Sequence, residues 1–151
     1  MVTYFGKFDH EVTNESRIEP RNTMVFPPVL RQAIINYTDL EEHTLLCYPL
    51  EEVLVEKLRS VMQRMQARDL YDIWYLLEEH GLEVEYHHAE FCEKCTQKGL
   101  IPNDFFQKMT ERLPQYKARW KNSMEGQIQD LPDFDKVSRE AQKHPKKMTF
   151  R

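Results

Sequence analysis

The spacing of hydrophobic residues changes near Tyr48. Before this point, β-branched pairs such as Val12-Thr13 and Ile34-Ile35 lie among irregular, proline-containing segments, a pattern typical of short strands joined by loops. The apolar run at 44–48 stops at a proline and predicts a further strand that leads into a helix. We therefore expect residues 1–48 to form a β portion.

From residue 49 onward, apolar residues recur at steps of three and four, which predicts helices. The first begins at Leu50 and has an apolar stripe over about four turns. Glycines end the next two helices, and prolines separate the later ones. The predicted helices after the first cover about 69–80, 84–98, 103–112, 116–128 and 133–143, with Gly81, Gly99, Pro114, Pro132 and Pro145 between or after them. The expected class is α+β and predominantly α-helical, a helical bundle (49–143) with a short N-terminal β portion and a basic, solvated tail (144–151).

The composition is that of a soluble globular protein. The 151 residues are 40% hydrophobic and 30% charged, with a net charge of -4. No stretch approaches the roughly 18 apolar residues of a membrane span, and Met1–Phe8 lacks the build of a signal peptide. We therefore expect a cytoplasmic protein with no membrane partner. The four glycines are isolated, which excludes a dinucleotide-binding fingerprint and a P-loop.

Three cysteines, an odd number, indicate a reducing compartment rather than a disulfide framework. Cys92 and Cys95 form a CxxC motif that shares one helical face with Val84, His88 and Phe91. A structural zinc site uses four ligands, commonly two pairs, and no second cysteine pair exists. We therefore expect a core role, with metal binding through His88, Cys92 and Cys95 as the alternative.

Lys57 falls inside the apolar stripe of the first predicted helix, between Leu54, Leu58 and Val61. A buried ammonium is costly unless it is paired, so we expect an anionic group opposite it. The alternative is that Lys57 extends past its neighbours to reach solvent.

Asp69 and Asp72 are the nearest candidate anions, three residues apart and therefore on adjacent turns of the second helix. Two such carboxylates can bind a hard cation or accept a proton. In the alternative interpretation, Asp69 caps the helix and Arg68 forms a surface pair with Asp72. Four cations within twelve residues suit phosphate groups; they are Lys57, Arg59, Arg64 and Arg68.

Two segments resemble a known family. The sequence YPLEEVLVEKLRSV at 48–61, followed by Arg64 and by ARDLYDIWYLL at 67–77, closely resembles the "AEKL" and "RDLYDL" helices of the AbiEii/AbiGii toxin family of nucleotidyltransferases. Trp120 and DLPDFD at 130–135 also resemble its C-terminal helices. The resemblance covers about 9–143, and Val55 replaces the usual alanine.

The resemblance implies a DNA-polymerase-β-type enzyme that transfers a nucleotide from an NTP with the help of Mg²⁺. Lys57 would neutralise the triphosphate, Arg64 and Arg68 would bind phosphate, and Asp69 with Asp72 would complete the polar site. Glu11 is the candidate for a further catalytic carboxylate. Intact members are toxins of toxin–antitoxin and phage-defence systems, and some act on tRNA, so a cognate antitoxin and tRNA are implied partners.

The chain departs from the family in its primary motif, a Gly-Ser followed by Asp-x-Asp. It contains no Gly-Ser, and its single Asp-x-Asp, Asp133-Phe-Asp135, is placed for helix capping. We therefore expect the C-terminal part of a nucleotidyltransferase, partial or degenerate and inactive alone, with no metal ligands of its own. The alternative is a non-catalytic helical binding module, because loss of the first strands would leave an open sheet edge.

Overall fold

The computed structural model describes residues 24–34 and 43–144. Its two strands, β1 (Val29–Gln32) and β2 (Thr44–Cys47), pair antiparallel, with Val29 opposite Cys47 and Gln32 opposite Thr44. β2 confirms the strand predicted before Pro49. Ile34 follows the end of β1 instead of lying in a strand, and the pair Val12-Thr13 lies outside the described residues.

The remainder of the described chain is predominantly helical, which confirms the predicted α+β class. A π-helical turn extends the second α-helix, and short 3₁₀ turns precede the third and the fourth. The elements are α1 (Leu50–Gln63), α2 (Ala67–Trp74) with its π-helical turn (Tyr75–Glu79), a 3₁₀ turn (Val84–His87), α3 (His88–Gln97), a 3₁₀ turn (Pro102–Asp104), α4 (Phe105–Met124) and α5 (Phe134–Ala141). Pro49 caps α1 at the position where a helix tolerates proline, as predicted.

The π-helical turn explains how α2 ends. The N–H of His80 donates to the carbonyl of Tyr75, five residues earlier, and Leu82 N–H donates to the carbonyl of Leu76. Between these donors, Gly81 has a φ of 69°, a conformation that a residue with a Cβ rarely adopts. The predicted stop at Gly81 is confirmed.

The prediction that Pro114 separates two helices is wrong, because α4 runs through it without a break. Proline in a helix interior costs about 3 kcal/mol, so other contacts must offset the loss. One continuous face of α4 supplies them. Its fully or almost fully buried residues lie on both sides of the proline: Phe105, Met109, Tyr116, Trp120 and Met124.

The core lies where α1 packs against α2, α3 and α4, and where α2 packs against α4 and α5. Leu54, Leu58 and Val61 are fully buried in α1, as are Leu70 and Ile73 in α2. This packing sets the two helices side by side and fixes the polar residues at their interface. Within the described ranges, no helix is both long enough and apolar enough to cross a membrane.

Candidate functional site

Lys57 faces two carboxylates across the interface between α1 and α2. Its Nζ lies 3.2 Å from Asp69 Oδ1 and 2.6 Å from Asp72 Oδ2, and its side chain is only 6% exposed. The expectation of an opposing anion is therefore confirmed, and the alternative in which Lys57 reaches past its neighbours to solvent is wrong. Pairing offsets part of the cost of burying the ammonium.

Lys57, Arg64, Asp69 and Asp72 form a cluster of ion pairs, the Lys57 cluster. Asp69 is its fully buried centre. Besides Lys57, it accepts two hydrogen bonds from Arg64, with Nε to Oδ2 at 2.8 Å and Nη2 to Oδ1 at 2.9 Å. This two-pronged geometry is the strongest that a guanidinium and a carboxylate form. The capping alternative for Asp69 is wrong, because α2 begins at Ala67 and Gln66 occupies its N-cap position.

Asp72 is the more open carboxylate, with a side chain that is 15% exposed. Burial raises the pKa of its carboxyl group, and the neighbouring charge of Asp69 acts in the same direction, while the contact with Lys57 opposes both effects. A carboxylate that keeps some access and has a raised pKa is a better proton acceptor than an ordinary surface aspartate. Of the two aspartates, Asp72 is therefore the one suited to proton transfer.

Arg64 and Arg68 lie at the rim of the cluster. The Arg64 side chain is 48% exposed even though its guanidinium contacts Asp69. Arg68 is exposed, and its Nε donates to Gln66 Oε1 at 2.9 Å. Among the described contacts, Arg68 forms no ion pair with Asp72, so the surface pair considered from the sequence is not present. Both side chains therefore have part of their surface in solvent.

Three side chains of α4, none of which was predicted as a site residue, contact the end of α1 beside the cluster. Tyr116 Oη donates to the carbonyl of Arg64 at 3.5 Å, Arg119 Nη1 donates to that of Met65 at 3.2 Å, and Arg112 Nη1 donates to that of Val61. These contacts hold the end of α1 and the turn that presents Arg64. Burial raises the pKa of the fully buried Tyr116. Arg112, Tyr116 and Arg119 are four and three residues apart, a spacing that puts them on one helix face. The predicted break at Pro114 placed Arg112 and Tyr116 in different helices, so this shared face was not recognised.

Two further acidic positions were considered from the sequence. Glu11 lies outside the described residues. Asp133 is the N-cap of α5, where its carboxylate accepts hydrogen bonds from the backbone N–H groups of Asp135 and Lys136. The capping role predicted for the Asp-x-Asp sequence is confirmed.

One face of α3, the helix that contains Cys92 and Cys95, packs into the core, as expected. Cys95 is fully buried and its Sγ lies 3.7 Å from Met62 Sδ, whereas Cys92 is half-buried and lies 3.7 Å from His88 Nε2. Burial raises the pKa of Cys92, and raises that of Cys95 to about 12. Within residues 24–34 and 43–144, no group of three or more potential ligands could hold a metal ion.

Comparison with known proteins identifies one matching family. The family model described as "Nucleotidyl transferase AbiEii toxin, Type IV TA system" matches residues 6–140, which include all of α1, α2, α3 and α4. Searches of curated proteins and of solved structures gave no match. Since the match extends over most of the chain and contains the whole Lys57 cluster, the chain belongs to the AbiEii nucleotidyl transferase toxin family of type IV toxin–antitoxin systems.

Proposed function

We propose that the Lys57 cluster is the triphosphate-facing part of a nucleotidyltransferase that transfers a nucleotide from an NTP to an acceptor. The observation that carries this proposal is the pairing of Lys57 with Asp69 and Asp72 inside the region matched by the family model. A lysine placed in an apolar stripe and fixed by two carboxylates is a preorganised positive charge. Such charges stabilise the anion that develops when a phosphate bond breaks.

In the proposed reaction, an acceptor hydroxyl attacks the α-phosphorus of the NTP, and the bond from this phosphorus to the oxygen bridging to the β-phosphate breaks. Lys57, held in place by Asp69, attracts the negative charge that gathers on the departing pyrophosphate. Asp72 takes the proton from the acceptor hydroxyl, since it has the raised pKa and the more accessible side chain. Arg64 and Arg68 contact the phosphates from the rim.

The intact family is expected to use Mg²⁺, and Asp69 and Asp72 are the carboxylates of this cluster that could be considered as its ligands. They do not fit, because Asp69 already accepts from Lys57 and Arg64, and Asp72 contacts the same ammonium at 2.6 Å. No described group of three potential ligands exists to complete a coordination shell. We therefore assign the ion to carboxylates outside this cluster and attribute to Asp69 and Asp72 the roles of orienting Lys57 and accepting a proton.

Further parts of the proposal rest on the family and its type IV classification. We infer a cognate antitoxin as partner, tRNA as an acceptor, a role in phage defence and action in the cytoplasm. Because the sequence has no Gly-Ser dipeptide, we also propose that transfer requires a Gly-Ser and Asp-x-Asp segment in addition to these residues. A reading frame upstream of Met1 that encodes such a segment would identify a truncated enzyme rather than a degenerate one.

The test is to measure NTP binding and nucleotide transfer with labelled NTPs, Mg²⁺ and tRNA. Lys57→Ala should weaken NTP binding at least tenfold, while Lys121→Ala, a control at an exposed position on α4, should leave it unchanged. Equal weakening by both variants, or by neither, would overturn the assignment of Lys57. Transfer by the chain alone that Lys57→Ala abolishes would show that no added segment is needed.

The exposed hairpin favours a second candidate function, that of a non-catalytic binding module. Leu30 and Leu46 are cross-strand partners, yet they are 69% and 67% exposed. An exposed apolar pair on a two-stranded sheet is a surface that a partner chain could cover. This function predicts that a partner binds normally when Lys57 is replaced and that Leu30→Lys abolishes binding.

A further inference from the structure

A second buried ion pair lies on a different face of α1 from Lys57. Glu52 Oε1 is 2.6 Å from Lys94 Nζ on α3, and the two side chains are 5% and 3% exposed. Lys94 also lies 3.6 Å from Glu56 Oε2. Because Glu52 and Lys57 are five residues apart, they project about 140° from one another around the helix. This pair therefore does not belong to the candidate site.

The other oxygen of Glu52 holds the chain that enters β1. Oε2 accepts from the backbone N–H groups of both Val25 and Phe26, each at 3.0 Å. The Phe26 ring in turn packs edge-on against His87, with ring centroids 5.6 Å apart. One buried carboxylate thus joins three parts of the molecule: the segment before β1, the first turn of α1, and α3.

Stability alone does not explain why a charged pair occupies this place. Removing an ammonium and a carboxylate from water costs several kcal/mol each, and apolar residues of similar volume are often at least as stable. An apolar pair could not, however, accept hydrogen bonds from two successive backbone N–H groups. What Glu52 and Lys94 provide, and a repacked core would not, is a fixed position for one backbone segment.

We propose that Glu52 and Lys94 form a positioning pair that fixes the strand pair β1–β2 relative to Lys57. Glu52 and Lys57 lie on the same helix, α1. The backbone at Val25 and Phe26, which Glu52 binds, therefore keeps a constant position relative to the candidate site. The held segment leads directly into β1, and β1 pairs with β2, which connects to α1 through Pro49. The catalytic consequence rests on the proposed function: misplacement by about 1 Å can cost about a hundredfold in rate.

The first arm of the test needs no activity. Amide hydrogen exchange is followed in the full chain for Glu52→Gln, Lys94→Met and the control Glu51→Gln, which changes a neighbouring glutamate in the same helical turn. Breaking a buried pair lowers global stability, so exchange at Asp69 in the same variant serves as the internal reference. Relative to that reference, exchange at Val25 and Phe26 should rise at least tenfold in the first two variants and stay unchanged in Glu51→Gln. Unchanged exchange at Val25 and Phe26, or a rise no larger than that at Asp69, would overturn the positioning role.

The second arm uses the transfer assay, with the Gly-Ser and Asp-x-Asp segment present if the parent requires it. Glu52→Gln should lower kcat about tenfold while KM for the NTP stays within twofold, because Lys57 and its aspartates remain in place. A change in KM without a change in kcat would contradict the proposed link to Lys57. If the parent shows no transfer under any condition, the proposed function fails, and the exchange arm still decides whether Glu52 holds the segment.

Discussion

Lys57 and Asp72 form an ion pair 2.6 Å long across the interface of α1 and α2, at the point where the buried cluster opens toward solvent. Behind it, Asp69 is fully buried and contacts both Lys57 and Arg64. The two aspartates therefore have different roles despite their spacing of three residues. Asp69 holds the side chains of Lys57 and Arg64 in place, and Asp72 is the carboxylate that an incoming group can reach.

Replacing Lys57 should destabilise the fold as well as remove the proposed function. Lys57→Met leaves the charge of Asp69 buried with only part of its compensation, and breaking a buried pair costs about 3 kcal/mol or more. Arg64→Met should cost less, because the Arg64 side chain is 48% exposed. Urea denaturation at neutral pH measures both free energies of unfolding. Equal losses for the two variants would show that the burial of Lys57 does not make its pair with Asp69 the more important one.

Asp72 should make a distinct contribution to the pH dependence of stability. Burial raises the pKa of its carboxyl group above the ordinary value for aspartate, so the folded state binds this proton more tightly than the unfolded state does. The resulting stabilisation is complete below the unfolded pKa and is lost as the pH rises through the folded pKa. As the pH falls from 7 toward 4, the parent should therefore gain stability relative to Asp72→Asn.

The measurement is a series of urea denaturation curves for the parent and Asp72→Asn between pH 7 and pH 4. Asp135→Asn is the matched control, because Asp135 pairs with Lys117 where both side chains are largely exposed. A difference between the parent and Asp72→Asn that stays constant over this range would show that burial does not control the titration of Asp72.

The Lys57 cluster was predictable from sequence because its signals are local. A lysine inside an apolar stripe conflicts with the period of its own helix, and two aspartates three apart must share a helix face. The contacts of Glu52 with Lys94 gave no such signal, since a glutamate in the first helical turn is ordinary. Lys94 lies inside the CxxC motif formed by Cys92 and Cys95, and the motif suggested a role for the cysteines rather than for the lysine. Only the packing of α1 against α3 brings these charges together.

The continuity of α4 was unpredictable for a related reason. Local propensity favours a break at Pro114, and the energy that overrides it comes from residues packed on other helices, such as Tyr116 against the end of α1. The predicted break at Pro114 also left the contact of Arg112 unrecognised, because its partner Val61 is 51 residues away. Tertiary contacts of that sequence separation have no local pattern to reveal them.

Replacing Pro114 should stabilise the protein. The residue is exposed within α4, and Pro114→Ala restores a backbone N–H that can donate to the carbonyl of Thr110. We expect a gain of about 1–2 kcal/mol, less than the full helix penalty because alanine also frees the unfolded chain. Thermal unfolding measures the change. Pro132→Ala, outside the helices, is the control and should give no gain, and a loss of stability in Pro114→Ala would contradict this account.

The three thiols should differ in their reactivity with iodoacetamide at pH 8. Cys95 is fully buried and its pKa is raised to about 12, so almost none of it is the reactive thiolate. Cys47 and Cys92 are half-buried, and burial raises the pKa of Cys92 as well. We therefore expect Cys47 to react first, Cys92 more slowly, and Cys95 only after unfolding. Mass spectrometry of peptides from native and urea-treated protein distinguishes the three sites. Alkylation of Cys95 in the folded protein at the rate of Cys47 would show that α3 opens readily, which would contradict the core role assigned to its buried face.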